Sequence, residues 1–380
     1  MADIYERAQS INFNLYTCIG FWGVKTKNRC YRFLYYSYSY FAVFLATLYF
    51  VLQVLDVKDS LDSMATLSDN LSATITSVLS ITKVYVLKFR LERVERLRKH
   101  FREHLNAPGV GTSEEDKQIF KEEAESYMRT SKMMYVFVSV TISSWWIGPA
   151  FQGKVPVRMW TPFDKYMNFE AYVSVYFYQC LLLGIYGGIV MSIDLIIWLF
   201  IFLVSTHFKI LEKNIMKFGS GSPEERRREF RNIVIHHQKI LRVHSEVDSL
   251  FSISIFIHLI SVGVLISVTE LDLVQTSTNA MSMRFMRQIG NLTTAIFDMF
   301  LYSHYGTLLE EMSMRIGKAI YNGPWLSFTP AERRDFMFVI IRSQKKCKIT
   351  AGKMLPVNLE SYLRILSTSY NLMAVLKQTK

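Results

Sequence analysis

Little in this chain points to a soluble domain. Charged residues make up only 20% of its 380 positions while half are hydrophobic, against roughly 25% charged in ordinary globular chains. Only 8 prolines interrupt it, so long helices are free to run. The four cysteines, Cys18, Cys30, Cys180 and Cys347, are scattered and form no C-x-x-C, which argues against a disulfide framework. The opening MADIYERAQS is polar and acidic. It lacks the basic-then-apolar order of a secretory signal, so insertion is expected to begin at the first spanning helix. Catalytic patterns are missing as well. There is no G-x-S-x-G, P-loop or G-x-G-x-x-G, and the HFREH of His100 and His104 lacks the glutamate position of a zinc protease. His236 and His237 are neighbours and point to different helix faces. Neither an enzyme nor a cofactor is expected. No internal repeat is visible, which counts against a transporter built from inverted halves.

What the chain has instead is membrane-length apolar sequence. The run Phe41 to Leu55 reads FAVFLATLYFVLQVL, and Leu181 to Val204 carries one charge, Asp194. About 20 residues of helix cross roughly 30 Å of hydrocarbon. The pattern predicts an all-α polytopic membrane protein with seven transmembrane helices, at 32–55, 66–88, 130–151, 171–204, 247–269, 285–306 and 356–377. The fourth, about 34 residues or roughly 51 Å long, exceeds the hydrocarbon and is expected to tilt or run on. Trp145 and Trp146 sit at the far end of the third, where interfacial aromatics belong.

The net charge of +12 is confined to alternate loops, so no nucleic-acid partner is implied. Lysines and arginines crowd the loops after spans 2, 4 and 6, for example Arg90 to Arg102 and Arg226 to Arg231. The loop after span 1 offers Lys58 among Asp56, Asp59 and Asp62. The positive-inside rule then places the N-terminus in the cytoplasm and the C-terminus outside. The basic loops carry apolar residues at helical spacing, as in LERVERLRKHFREHL. The spanning helices are therefore expected to extend into a cytoplasmic anchor region. The resulting division is a cytoplasmic segment at 1–31, spans 1–6 at 32–306, anchor helices at 307–355, and span 7 with a short outer tail at 356–380. Asn70-Leu-Ser72 is a glycosylation sequon near the outer face, which makes Asn70 a candidate acceptor.

Ionisable residues inside spans are costly and informative. Lys83 and Asp194 are placed near cytoplasmic span ends, where snorkelling satisfies them. Asp298 lies deeper and is expected to bond a neighbouring helix. The last span is the most polar, with Glu360, Arg364, Ser367, Thr368, Ser369, Tyr370 and Asn371. It is either a buried helix or the wall of an aqueous path, with Leu372 to Leu376 as an apolar constriction. Spans 2 to 4 bring aromatics and small hydroxyls to the outer half: Thr74, Ser77 and Val78; Ser139, Ile142, Ser143 and Trp146; Tyr172, Tyr176, Gln179 and Leu183. Apolar walls with a few polar groups suit a small hydrophobic ligand, and ordinary helix packing is the other reading.

The C-terminal stretch carries a motif. Tyr305-Gly306 is followed by Ser313, Ala319-Ile320-Tyr321 and Trp325, then Arg333-Arg334, Arg342-Ser343-Gln344, Ala351-Gly352, Leu359, Tyr362 and Ser369-Tyr370. This run resembles the C-terminal signature of insect odorant receptors, and the length and inverted topology resemble that family too. Two features depart from it: Ser303 stands where a cysteine is common, and Lys345-Lys346 follow Gln344 where a proline is frequent. The related gustatory receptors end in a threonine-tyrosine motif with a later glutamine, where this chain has Ser369-Tyr370 and Leu376. The second cytoplasmic loop is short for the family's universal co-receptor, so the chain resembles an odorant-tuning subunit. The resemblance implies a ligand-gated, non-selective cation channel in the plasma membrane, a heterotetramer with odorant co-receptor subunits. It implies a small volatile, aromatic or otherwise hydrophobic, bound in the outer half, with Ser139, Ile142 and Trp146 matching pocket spacing on span 3. It implies a pore lined by the last helix, with Tyr370, Met373, Leu376 and Lys377 at the pore or gate. The rival reading of a G-protein-coupled receptor requires the opposite orientation.

Overall fold

The computed structural model describes residues 2–18, 20, 28–61, 64–105, 113–161, 168–219, 221–275, 283–323 and 328–378. Helix dominates: α1 (Ala2–Cys18), α2 (Arg29–Ser60), α3 (Met64–Phe89), α4 (Leu91–Leu105), α5 (Glu114–Phe151), α6 (Phe169–Lys217), α7 (Pro223–Gln275), α8 (Met283–Asn322), α9 (Pro330–Ser343) and α10 (Leu359–Gln378). The one sheet among the described residues is a two-stranded hairpin, β1 (Thr350–Ala351) with β2 (Leu355–Pro356).

Local chemistry sets the helix starts. Asn28 accepts from the amides of Cys30 and Tyr31 and so begins α2, and Asn168 accepts from Ala171 N to begin α6. Ser113 caps α5, with Glu114, Glu115 and Asp116 in its first turn complementing the helix dipole. Thr329 and Glu332 form a reciprocal capping box around Pro330 at the head of α9.

The seven expected spans fall on α2, α3, α5, α6, α7, α8 and α10. Five of them, α2, α3, α5, α6 and α7, hold a stretch long and apolar enough to cross a membrane. α8 and α10 fall below that measure because each mixes charged and polar residues into the apolar sequence. α6 is the central post, packed by α8, α5, α7, α3 and α1. From Leu195 to Ile201 every side chain is fully buried, Trp198 among them, which is why this helix is apolar all round.

The expected extension of helices beyond the membrane is borne out by α4 and by the lengths of α6 and α7. On α4, Val94, Leu97 and Phe101 are buried at helical spacing. Phe218, Phe230, Phe328 and Phe336 then knit the ends of α6, α7 and α9, with ring centroids 4.6–6.5 Å apart. The segment boundaries expected at 31 and 306 coincide with no break in the chain: α2 begins at Arg29, and α8 runs uninterrupted from Met283 to Asn322.

The hairpin turns through Gly352 and Lys353, both at positive φ (+60° and +62°), with Met354 N donating to Ala351 O at 3.1 Å. It is pinned to α7: Asp248 accepts from the Thr350 amide (2.7 Å) and hydroxyl (2.8 Å), and Ser252 O accepts from Gly352 N (2.8 Å). Because the hairpin leads directly into α10, α7 sets where the last helix starts.

Candidate functional site

Six helices, α2, α3, α5, α6, α7 and α8, surround a cavity of about 180 Å³. α5 lends it Met134, Val138, Thr141, Ile142 and Trp145, one face of a helix by spacing. α6 lends Leu183, Tyr186, Gly187, Val190 and Met191; α7 lends Val262 and Leu265. Gly187 lets α6 close on α5, since a Cβ there would meet the end of the Ile142 side chain. Polar groups are few and mostly paired. Ser77 Oγ donates to Gln53 Oε1 at 2.7 Å, and Thr141 and Thr294 share a 2.8 Å hydrogen bond across α5 and α8. Trp145 Nε1 donates to Asn291 Oδ1 at 2.9 Å, while the Arg287 guanidinium stacks 4.4 Å from the Trp145 ring. The Gln53 side-chain NH2 is buried without a hydrogen-bond partner. Trp145 also borders a wetter outer cavity of about 530 Å³ lined by Asp69, Arg158 and Arg287, so its indole stands between the two spaces.

At its inner end the cavity meets Asp194, His258 and Asp298. Lys83 and Asp194 are not snorkelling groups as expected. Both side chains are 2% exposed and form an ion pair with each other. The reason is mutual: facing each other across α3 and α6, each satisfies the other inside the bundle, and reaching for the interface gains nothing. Tyr302 Oη donates to the same Asp194 oxygen, and Lys83 Nζ lies 3.0 Å from His258 Nδ1. Asp298, expected to bond a neighbouring helix, lies 2.9 Å from His258 Nε2 on α7. Ligand atoms of Asp194, His258 and Asp298 converge within 4.8 Å, but the Lys83 ammonium already engages two of the three.

The site residues expected from sequence separate into two groups. Ser77, Ile142 and Leu183 line the cavity. Thr74 bonds Asn70 Oδ1 at 3.2 Å, Val78 and Ser139 face outward, and Ser143 Oγ returns to Ser139 O at 2.8 Å. Trp146 offers its carbonyl to the Tyr176 hydroxyl. Gln179 holds the segment after α5, bonding Val157 N (2.8 Å) and Val157 O (2.9 Å). Tyr370 is exposed and Met373 is buried on α10; Leu376 and Lys377 belong to its last turn, and their side chains lie outside the described residues, as does Trp325. Asn70 is not the glycan acceptor its sequon suggests. It is fully buried within α3, and its Nδ2 donates to Gln53 O and Asp56 Oδ2; a glycan on that nitrogen would have to break both bonds. Sequence reading also passed over Tyr49 and Gln53 on α2 and His258 on α7. A lone glutamine or histidine inside an apolar run was the available signal.

A family model described as 7tm odorant receptor matches residues 63–370. The chain belongs to this family. Odorant receptor 67c of Drosophila melanogaster is 24% identical over 223 residues, covering 58% of this chain and 54% of that protein. Odorant receptor 10 of Aedes albopictus is 26% identical over 174 residues, 45% of this chain and 46% of its own length. These alignments thus span about half of the relatives' length, whereas Odorant receptor 2a of Drosophila melanogaster aligns over 369 residues at 22% identity, 91% of each chain. The fold is similar to that of the insect olfactory receptor OR5 from Machilis hrabei, with a TM-score of 0.86 at 18% identity over 98% of this chain and 97% of that one. The same receptor in complex with eugenol gives a TM-score of 0.86 at 17% identity, over 99% and 100%. The protein is therefore a multi-pass membrane protein of the odorant receptor family and not an enzyme.

Proposed function

We propose that this odorant receptor is the ligand-binding subunit of a ligand-gated, non-selective cation channel, assembled in the plasma membrane as a tetramer with co-receptor subunits. The cavity takes a small hydrophobic volatile, and α10 lines the pore.

One observation carries the reading. α7 faces the cavity with His258, Val262 and Leu265 and holds α10 with Gly263 and Ser267. Ser369 Oγ donates to Gly263 O at 3.1 Å, and Ser267 Oγ donates to Ser369 O at 3.2 Å. A ligand that shifts α7 therefore shifts the last helix directly. The outward face of α10 supports a pore lining: Leu363, Tyr370, Leu372 and Val375 are exposed in the single chain, as are Glu360 and Arg364. A mixed polar and apolar face of this kind suits neither lipid nor a packed core. The anchor end supports assembly, because Tyr321, Met337, Phe338, Ile341 and Met354 are exposed there and apolar surface outside the membrane marks a contact. The eugenol held by the structural neighbour supports an aromatic volatile as ligand.

Co-expression with the co-receptor is the test. A volatile panel is expected to evoke a cation current that persists when G-protein signalling is blocked. Loss of the current under that block sinks the channel reading.

A further inference from the structure

The inner end of the cavity carries a charge imbalance. Asp194 and Asp298 bring two carboxylates, and Lys83 is the lysine that acts on both. Lys83 Nζ faces His258 Nδ1 at 3.0 Å. An ammonium has only protons to offer, so Nδ1 accepts, and the neutral imidazole carries its hydrogen on Nε2. Asp194 is matched by the Lys83 ammonium and the Tyr302 hydroxyl. Asp298 has no such match. Its Oδ2 lies 2.9 Å from His258 Nε2 without hydrogen-bond alignment, and its Oδ1 has no hydrogen-bond partner. The residue is 6% exposed and lines the cavity. A buried carboxylate that must share one ammonium with a second, directly paired carboxylate is disfavoured in a low-dielectric interior and takes up a cation or a proton.

The space beside it has a definite size. An engineered apolar cavity of about 150 Å³ holds benzene, and this one measures about 180 Å³, enough for one ring and a short substituent. A transition metal fits poorly, because Lys83 already occupies Asp194 and His258 and leaves one carboxylate as the free ligand.

We propose that the preferred ligand is a single-ring amine, its ammonium seated on Asp298 and its ring among Ile142, Leu183 and Val262. This rests on the reading of the cavity as the odorant site. It names a chemical class that apolar walls alone do not select.

Benzylamine, protonated at neutral pH as a lysine side chain is, is compared with its neutral near-isostere ethylbenzene on cells co-expressing the co-receptor. The amine is expected to act at a concentration roughly thirty-fold lower, the factor expected for one buried charge pair. Asp298→Asn is expected to abolish that advantage, and Asp298→Glu to keep it. Equal potency in the native receptor, or an advantage that survives Asp298→Asn, overturns the proposal. If Asp298→Asn fails to reach the surface, the native potency ratio together with Asp298→Glu decides. If neither compound evokes current, calorimetric titration of the purified chain with benzylamine decides. Binding that Asp298→Asn removes keeps the amine site and places the failure in the channel reading, while absence of binding overturns the amine site.

Discussion

Trp145 and Trp146 show what a single position is worth in a helix. They are adjacent in sequence, about 100° apart around α5, and their environments differ accordingly. Trp145 is buried, bonded to Asn291 and stacked by Arg287, whereas Trp146 turns toward α6 and lends its carbonyl to Tyr176. The same rotation separates Ile142, which lines the cavity, from Ser139, which faces outward. Spacing made the face of α5 legible to within one residue. It could not decide between neighbours, because both choices place an aromatic residue near the outer interface. Lys83, Asp194 and Asp298 were each visible as anomalies in apolar sequence, but His258 was passed over and the convergence of the four was not legible, since it depends on how four helices are rotated. At this scale the cavity makes a clear demand. Ile142→Ala enlarges it and is expected to shift the relative potency of ligands differing by one methylene by about ten-fold. Ser139→Ala is expected to leave that ratio unchanged, and dose-response curves for a homologous ligand pair check both.

Among the elements, the spanning helices were the most legible, because apolar length is written locally along the chain. The amphipathic α4 was equally plain, with Val94, Leu97 and Phe101 at one spacing. The helix α1 and the β1–β2 hairpin were not read from sequence. Both are held by partners distant in the chain: Tyr5 Oη donates to Arg98 O at 3.2 Å, and Asp248 pins Thr350. The anchor where α7, α8 and α9 meet also has a titratable element. His237, on the part of α7 that precedes its apolar stretch, is buried with its ring centroid 6.3 Å from that of Phe208. Burial, assisted by the nearby Arg342 guanidinium, holds its pKa down at about 4, from 6.5. The neutral ring therefore stabilises the fold above pH 6.5. That contribution is lost as pH falls from 6.5 toward 4, because the unfolded chain takes up the proton first. The melting temperature of the purified protein is expected to drop across this window, and the drop to flatten in His237→Phe. An unchanged slope in the variant contradicts this role for His237.

For the whole molecule, the organising feature is a division of labour across α7. Its cavity side belongs to a bundle of six helices, and Gly263 and Ser267 carry the seventh. Orientation and helix count came from charge bias and apolar length, both properties of the whole chain that survive errors at single residues. The family match over residues 63–370 agrees with the layout and leaves the rival reading of a G-protein-coupled receptor without support. The central claim is that ligand recognition and ion passage reside in this one protein, in separate places. The direct measurement is ligand-evoked current in excised, nucleotide-free patches carrying the chain and its co-receptor, recorded for Ile142→Trp and Tyr370→Asp. Ile142→Trp is expected to raise the half-maximal ligand concentration with ion selectivity unchanged. Tyr370→Asp is expected to alter the relative permeability of divalent and monovalent cations with ligand potency nearly unchanged. Current that vanishes without nucleotide, or a permeability indifferent to Tyr370→Asp, would contradict it.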